Sequence, residues 1–156
     1  MEITLQPIAW VKNSRQHITD DYWGDVVSEI ILDERIPANA FDGINGFSHL
    51  EIIYYFDRAK EDPIKYLRRP RGNPDFPEVG IFAQRNKDRP NHLGICTVEL
   101  IWQREGSIGV KFLDAVDGTP VLDIKPVYRE FSPPTKTKQP DWVSKLMEVY
   151  WDKKKE

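Results

Sequence analysis

The feature that most restricts the fold of this 156-residue chain is a succession of short apolar runs, each closed by a turn signal. Residues 7–12, 25–32, 50–56, 79–83, 94–102 and 107–113 read as strands, being rich in β-branched and aromatic residues. Within 94–102, Val98, Leu100 and Trp102 alternate with Glu99 and Ile101, so one face is apolar. Residues 50–56 are apolar and aromatic, as a buried strand requires. Residues 37–46 read as a turn or a short helix. Residues 59–78 carry Pro63, Pro70, Gly72, Pro74 and Pro77 and read as a long loop, a kind of segment that is usually functional or mobile. Short strands with turns between them define a β-sandwich or a β-barrel. The length suits one domain with its own core.

The C-terminal part follows different rules. Residues 132–140 are rich in Pro, Ser, Thr and Lys and read as a linker. A helical period then runs over 141–151, with Trp142, Leu146, Val149 and Tyr150 on one stripe flanked by Val143 and Met147. Pro140 suits the helix start, and Lys153, Lys154 and Lys155 suit the dipole at its end. The expected organisation is a β domain over 1–131, a linker over 132–140 and an amphipathic C-terminal helix over 141–156. That helix is expected to dock on the β domain or on a second subunit.

Composition bounds the function. The apolar content of 40% and charged content of 30% are those of an ordinary soluble protein. No apolar run has membrane-spanning length, and the first residues lack the pattern of a signal peptide. With Cys96 alone no internal disulfide forms, so a cytoplasmic location is expected, with Cys96 a small buried hydrophobe. The net charge of −3 gives no global attraction to nucleic acid. Basic residues are nevertheless clustered: Lys65, Arg68, Arg69 and Arg71, then Arg85, Lys87 and Arg89, then Lys136 and Lys138. Such clusters are solvated loops or, gathered on one face, a phosphate-binding surface. His17, His49 and His92 lack ligand-like spacing, so no metal site is expected. His49 reads as structural, whereas His92 sits in a turn where a functional role is as plausible. There is no nucleophile elbow, zinc-protease motif, phosphate loop or dinucleotide fingerprint.

The stretch 117–126, DGTPVLDIKP, is the most distinctive. Asp117-Gly118 allows a tight reversal, and Val121, Leu122 and Ile124 are β-formers. Asp123 and Lys125 flank Ile124, so in an extended chain they share a face, as an ion pair or as part of a polar site.

Together with the segments around Gly46-Phe47-Ser48-His49-Leu50, Gly80-Ile81-Phe82-Ala83-Gln84-Arg85 and Arg89-Pro90-Asn91-His92-Leu93-Gly94, this stretch resembles the TsaA-like, or TrmO, family. The resemblance covers about 7–126. It implies a mainly β fold: a single small β-barrel with short helices and a C-terminal helix. It also implies binding of S-adenosylmethionine, a homodimer with the cofactor near the subunit interface, and methylation of threonylcarbamoyladenosine beside the anticodon of tRNA. Carried over by motif, the cofactor-binding positions are Asp57, Arg58, Arg85, Ile95, Lys111, Phe112, Leu113 and Asp114. Asp57 and Asp114 would face the sulfonium cation, and Arg85 would fork onto the cofactor's carboxylate. Asp57 and Arg58 also fit a plain exposed strand-end pair. The acceptor nitrogen is a poor nucleophile until its proton leaves, so a base or charge-stabilising group is needed, and Asp117 and Lys125 are the catalytic candidates.

The chain departs from the family pattern. The N-terminal P-R-Q motif is missing, and Asp20-Asp21-Tyr22-Trp23-Gly24-Asp25 stands in its neighbourhood. The usual RPNP is Arg89-Pro90-Asn91-His92, Asp57-Arg58 stands where many members have His-Gln, and no extra C-terminal region is seen. The rival readings are a protein that binds the cofactor without chemistry and a methyltransferase acting on something other than tRNA.

Overall fold

The computed structural model describes residues 1–60 and 63–154. Its centre is a closed antiparallel barrel with the strand order β1-β2-β7-β6-β3-β8. The strands are β1 (Ala9–Lys12), β2 (Val27–Leu32), β3 (His49–Tyr55), β6 (Leu93–Arg104), β7 (Ser107–Lys111) and β8 (Pro120–Pro126). A separate hairpin pairs β4 (Leu67–Arg68) with β5 (Val79–Gly80), and one helix, α1, spans Asp141–Leu146. Closure leaves the barrel no unpaired edge, which selects the barrel over the sandwich. Among the described residues no helix is long and apolar enough to cross a membrane, and no three His, Cys, Asp or Glu side chains group as a metal site.

The period-two pattern puts the core where the sequence suggests. Val11, Ile30, Leu50, Ile52, Tyr54, Val98, Ile108, Val110 and Val121 point inward and are buried. Each buried aliphatic of this kind stabilises by roughly 1.5–3 kcal/mol relative to an exposed one. Cys96 joins this cluster. Residues 37–46 form two short 3-10 turns, Ala38–Phe41 and Ile44–Gly46.

Two expectations are corrected. Residues 79–83 do not form one strand: β5 ends at Gly80, and Ile81–Ala83 is a 3-10 turn. The cause is tertiary, because the buried Gln84 side chain donates to Arg68 O and Val79 O and folds the segment back on β4, outside the barrel. The C-terminal helix stops at Leu146 rather than reaching 151. Beyond it the backbone turns so that Val149 O, Tyr150 O and Asp152 O accept hydrogen bonds from Tyr22 N, Trp23 N and Gly24 N at 3.3, 2.8 and 3.3 Å. The segment thus docks on the loop between β1 and β2. Lys155 lies outside the described residues.

Candidate functional site

One end of the barrel gathers the C-terminal ends of β1, β3 and β7 and the N-terminal ends of β2, β6 and β8. There the chain leaves β7 through Phe112, whose φ of +64° is unusual for a residue with a side chain. It then presents Asp114. Asp114 Oδ1 accepts a hydrogen bond from Tyr54 Oη at 2.5 Å, and Oδ2 accepts one from Tyr150 Oη at 2.6 Å. Short O–H···O⁻ bonds of this kind are charge-assisted.

The two tyrosines arrive by different routes. Tyr54 is an inward residue of β3, paired in register with Gly94 of β6. A Cβ on Gly94 would lie 2.5 Å from Tyr54 Cε2, so the glycine makes room for the ring. Phe56 meets Tyr54 edge-on, with ring centroids 5.3 Å apart. Tyr150 comes from the docked C-terminal segment, and its neighbour Trp151 stands edge-on to Phe112 at 5.7 Å.

Electrostatics make these groups donors rather than bases. Burial, and then the Asp114 carboxylate, push the Tyr54 and Tyr150 phenols up. Burial, and then Asp114, also push the Cys96 thiol up. Its Sγ donates to Phe112 O at 2.9 Å, so Cys96 is a buried thiol and not a nucleophile.

The other candidates sort by position. Arg58 forks between two loops, donating to Gln16 O at 2.7 Å and Asp117 O at 2.8 Å, while Asp57 beside it is exposed. Asp117 Oδ1 accepts from Asn13 N at 2.9 Å. Asn13 in turn donates to Ser28 Oγ and Ala115 O. Arg58, Asp117, Phe112 and Asp114 therefore share this end. Leu113 is fully buried in the core, and Lys111 closes β7 opposite Val27 and Glu99. Ile95 faces outward on β6, and the Arg85 guanidinium donates to its carbonyl. Lys125 lies toward the far end of β8, five residues or about 17 Å at ~3.3 Å per residue from Pro120, where the strand begins just after Asp117. It pairs with Asp123 at 2.7 Å, which is the ion-pair alternative of the two their shared face left open. Next to Arg58, a cleft of about 500 Å³ is lined by Ser14, Arg15, Gln16, His17, Asp25 and Lys154, among others, a size that suits a nucleoside-like ligand.

Several basic residues tie loops together. Arg71 makes a bidentate pair with Asp21 at 2.9 and 2.8 Å, Lys87 pairs with Asp88, and Arg89 donates to Gln84 O. His49 meets Ser48 Oγ through Nδ1 and stays exposed. His92 packs edge-on to Tyr55, with a buried Nε2 that has no partner among the described residues. Reading from sequence missed Tyr54, Tyr150 and Trp151 as site residues. The one available signal was Tyr150 on the apolar stripe of the tail, and it pointed to packing.

A closed six-stranded antiparallel barrel with a carboxylate and aromatic rings at one mouth is the class this architecture defines. The sequence profile of the tRNA-methyltransferase O N-terminal domain matches residues 15–132, and the chain belongs to that family. It is 36% identical over 126 residues to an S-adenosyl-L-methionine-binding protein of Archaeoglobus fulgidus, covering 78% of this chain and 86% of that protein. It is 40% identical over 93 residues to the tRNA (adenine(37)-N6)-methyltransferase of Escherichia coli, covering 57% of this chain and 40% of that enzyme. The crystal structure of TrmO from Pseudomonas aeruginosa superposes with a TM-score of 0.71 at 22% identity, covering 88% of this chain and 62% of that one. The chain thus spans under two thirds of the length of these two larger proteins, and the solved structure speaks for the fold.

Proposed function

We propose that this chain binds S-adenosylmethionine at the Asp114 end of the barrel and transfers its methyl group to threonylcarbamoyladenosine beside the anticodon of tRNA. The observation that carries the reading is Asp114, a carboxylate held by two protonated tyrosines, with Phe112 two positions before it in the chain. The cofactor supplies an electrophilic methyl on a sulfonium cation, and an anion beside aromatic faces suits such a cation. Family membership and relatives named for S-adenosyl-L-methionine and for tRNA methylation support the same reading.

The residues divide by role. Asp114 and Phe112 face the cation. Arg58 holds the Gln16 and Asp117 loops, while Arg85 and Ile95 mark the outer rim for the amino-acid part. Lys111 and Leu113 frame Phe112, and Asp57 stands exposed at the β3 end. Asp117 is the acceptor-side group. Its Oδ1 takes the Asn13 amide, and Oδ2 is the oxygen this proposal gives to the nitrogen's departing proton. Lys125 stands too far along β8 to share that nitrogen and would act only across a pair of subunits.

A cytoplasmic homodimer fits this activity. The outward faces of β3 and β6 carry Tyr55, Leu93 and Ile95, each paired or adjacent in register and each about 40% exposed. Such a patch favours self-association. A second reading, cofactor binding without methyl transfer, is favoured by one observation. Two relatives that this chain covers to 86% and 93% of their length carry binding-protein names.

Two experiments test the proposal. Calorimetry with S-adenosylmethionine should show binding, and none at millimolar ligand rejects it. Nucleoside mass spectrometry of tRNA from cells with and without the gene should show the methylated nucleoside lost. Binding with an unchanged nucleoside profile leaves the second reading.

A further inference from the structure

The geometry points to the C-terminal segment, residues 147–152, as a wall of the cofactor site, with Tyr150 as the positioning residue for Asp114 and Trp151 as an aromatic face beside it. This rests on the cofactor reading above. The segment lies beyond residue 132, where the family match ends, so the matched domain does not account for it.

Three observations carry the inference. The first is convergence: Asp114 is gripped from the barrel interior by Tyr54 and from the tail by Tyr150, one phenol on each carboxylate oxygen. A carboxylate held at both oxygens cannot rotate, so its charge has one direction. The second is the precision of the docking. A Cβ on Gly24 would lie 1.9 Å from Trp151 O, and Tyr22 adopts a φ of +65° to enter the docked stretch. Trp23 is buried against Val26, Val116 and Tyr150, with Arg15 over its ring at 4.6 Å. Backbone strain of this kind persists only where the surroundings over-determine it. The third is incomplete burial. Trp151 stays 38% exposed while touching Phe112 and Tyr150, so its ring edges a space that solvent, and hence a ligand, can enter.

A clasp that served stability alone would be satisfied by its main-chain bonds and by the packing of Trp23. Placing a phenol on a carboxylate adds control over a charge. The consequence is selective: the sulfonium form of the cofactor depends on the Asp114 charge, and the demethylated thioether product does not.

The test is calorimetry on the full chain with S-adenosylmethionine and, separately, with S-adenosylhomocysteine. Tyr150→Phe keeps the docking and removes one grip on Asp114. It should weaken the sulfonium ligand roughly three- to tenfold, the cost of ordering a carboxylate freed at one oxygen, and leave the thioether within about twofold. Equal weakening of both ligands, or none of either, overturns the inference while the cofactor reading stands. Trp151→Leu, at a partly exposed position, is the companion variant. It should weaken the sulfonium ligand by a similar factor, and wild-type affinity for both ligands would overturn the role given to Trp151. A wild-type chain that binds neither ligand removes both the inference and the proposed function.

Discussion

Gly24→Ala tests the docking of the C-terminal segment at its tightest point. The added methyl would sit 1.9 Å from the Trp151 carbonyl oxygen and 2.8 Å from its carbon. Both are backbone atoms, so no rotamer change relieves the clash, and the two strands of chain must separate. Separation breaks the bonds from Tyr22 N, Trp23 N and Gly24 N to Val149 O, Tyr150 O and Asp152 O. At a net ~0.5–1.5 kcal/mol each, three such bonds amount to roughly 1.5–4.5 kcal/mol. The packing of Tyr150 on Trp23 weakens as well. For a domain of this size, each kcal/mol corresponds to about 2–4 °C in melting temperature, so the variant should melt roughly 3–18 °C lower. Hydrogen exchange at the Trp23 amide should accelerate with it, because the loop opens locally before the barrel does. A melting temperature within a degree of wild type, with unchanged protection at Trp23, would refute the tight docking and with it the reason for a glycine at this position.

Further outcomes follow from the same geometry. Asp117→Asn keeps an oxygen for the Asn13 amide, so calorimetric cofactor affinity should hold while methylation of tRNA falls roughly 10²–10⁴-fold; an unchanged rate removes Asp117 from catalysis. Gly94→Ala places a methyl 2.5 Å from the Tyr54 ring, so urea denaturation should show a loss of about 1–3 kcal/mol, together with weaker cofactor binding as Asp114 loses its grip. Cys96 has its pKa raised in the folded chain, chiefly by burial and then by Asp114, and Tyr54 and Tyr150 are raised by the same causes. A raised folded pKa favours the protonated form, so this stability is full below the ordinary thiol value of 9.0 and is lost as pH rises beyond it. The urea midpoint should therefore fall between pH 8 and pH 10, and Cys96→Ala should flatten the first part of that fall; a flat wild-type profile would contradict the burial of these groups.

Local chemistry assigned the apolar face of residues 94–102. Alternation in 94–102, the apolar run at 50–56 and the turn at Asp117-Gly118 all follow from local chemistry, since a period of two assigns faces without reference to partners. That Asp123 and Lys125 share a face was legible for the same reason, while their pairing at 2.7 Å came from the structure. Alternation alone left barrel and sandwich open, and motif resemblance selected the barrel. The candidate site was legible only in part: Asp114, Phe112 and Arg58 were carried over from motifs and Asp117 was chosen beside its strand, and the fold brings the four to one mouth. Tertiary structure decided the rest. Tyr54 and Asp114 are 60 positions apart, and Tyr150 is 36 from Asp114, so no local pattern relates the three. The tail stopped being a helix after Leu146 because the carbonyls of Val149, Tyr150 and Asp152 found donors on another loop. Residues 79–83 broke into strand and turn because Gln84 was drawn to Arg68 O, 16 positions back, as well as to Val79 O. Arg71 became a loop tie because its carboxylate partner, Asp21, lies 50 positions away in the chain. In each case a polar group's partner was chosen by chain closure, and period and composition carry no information about closure.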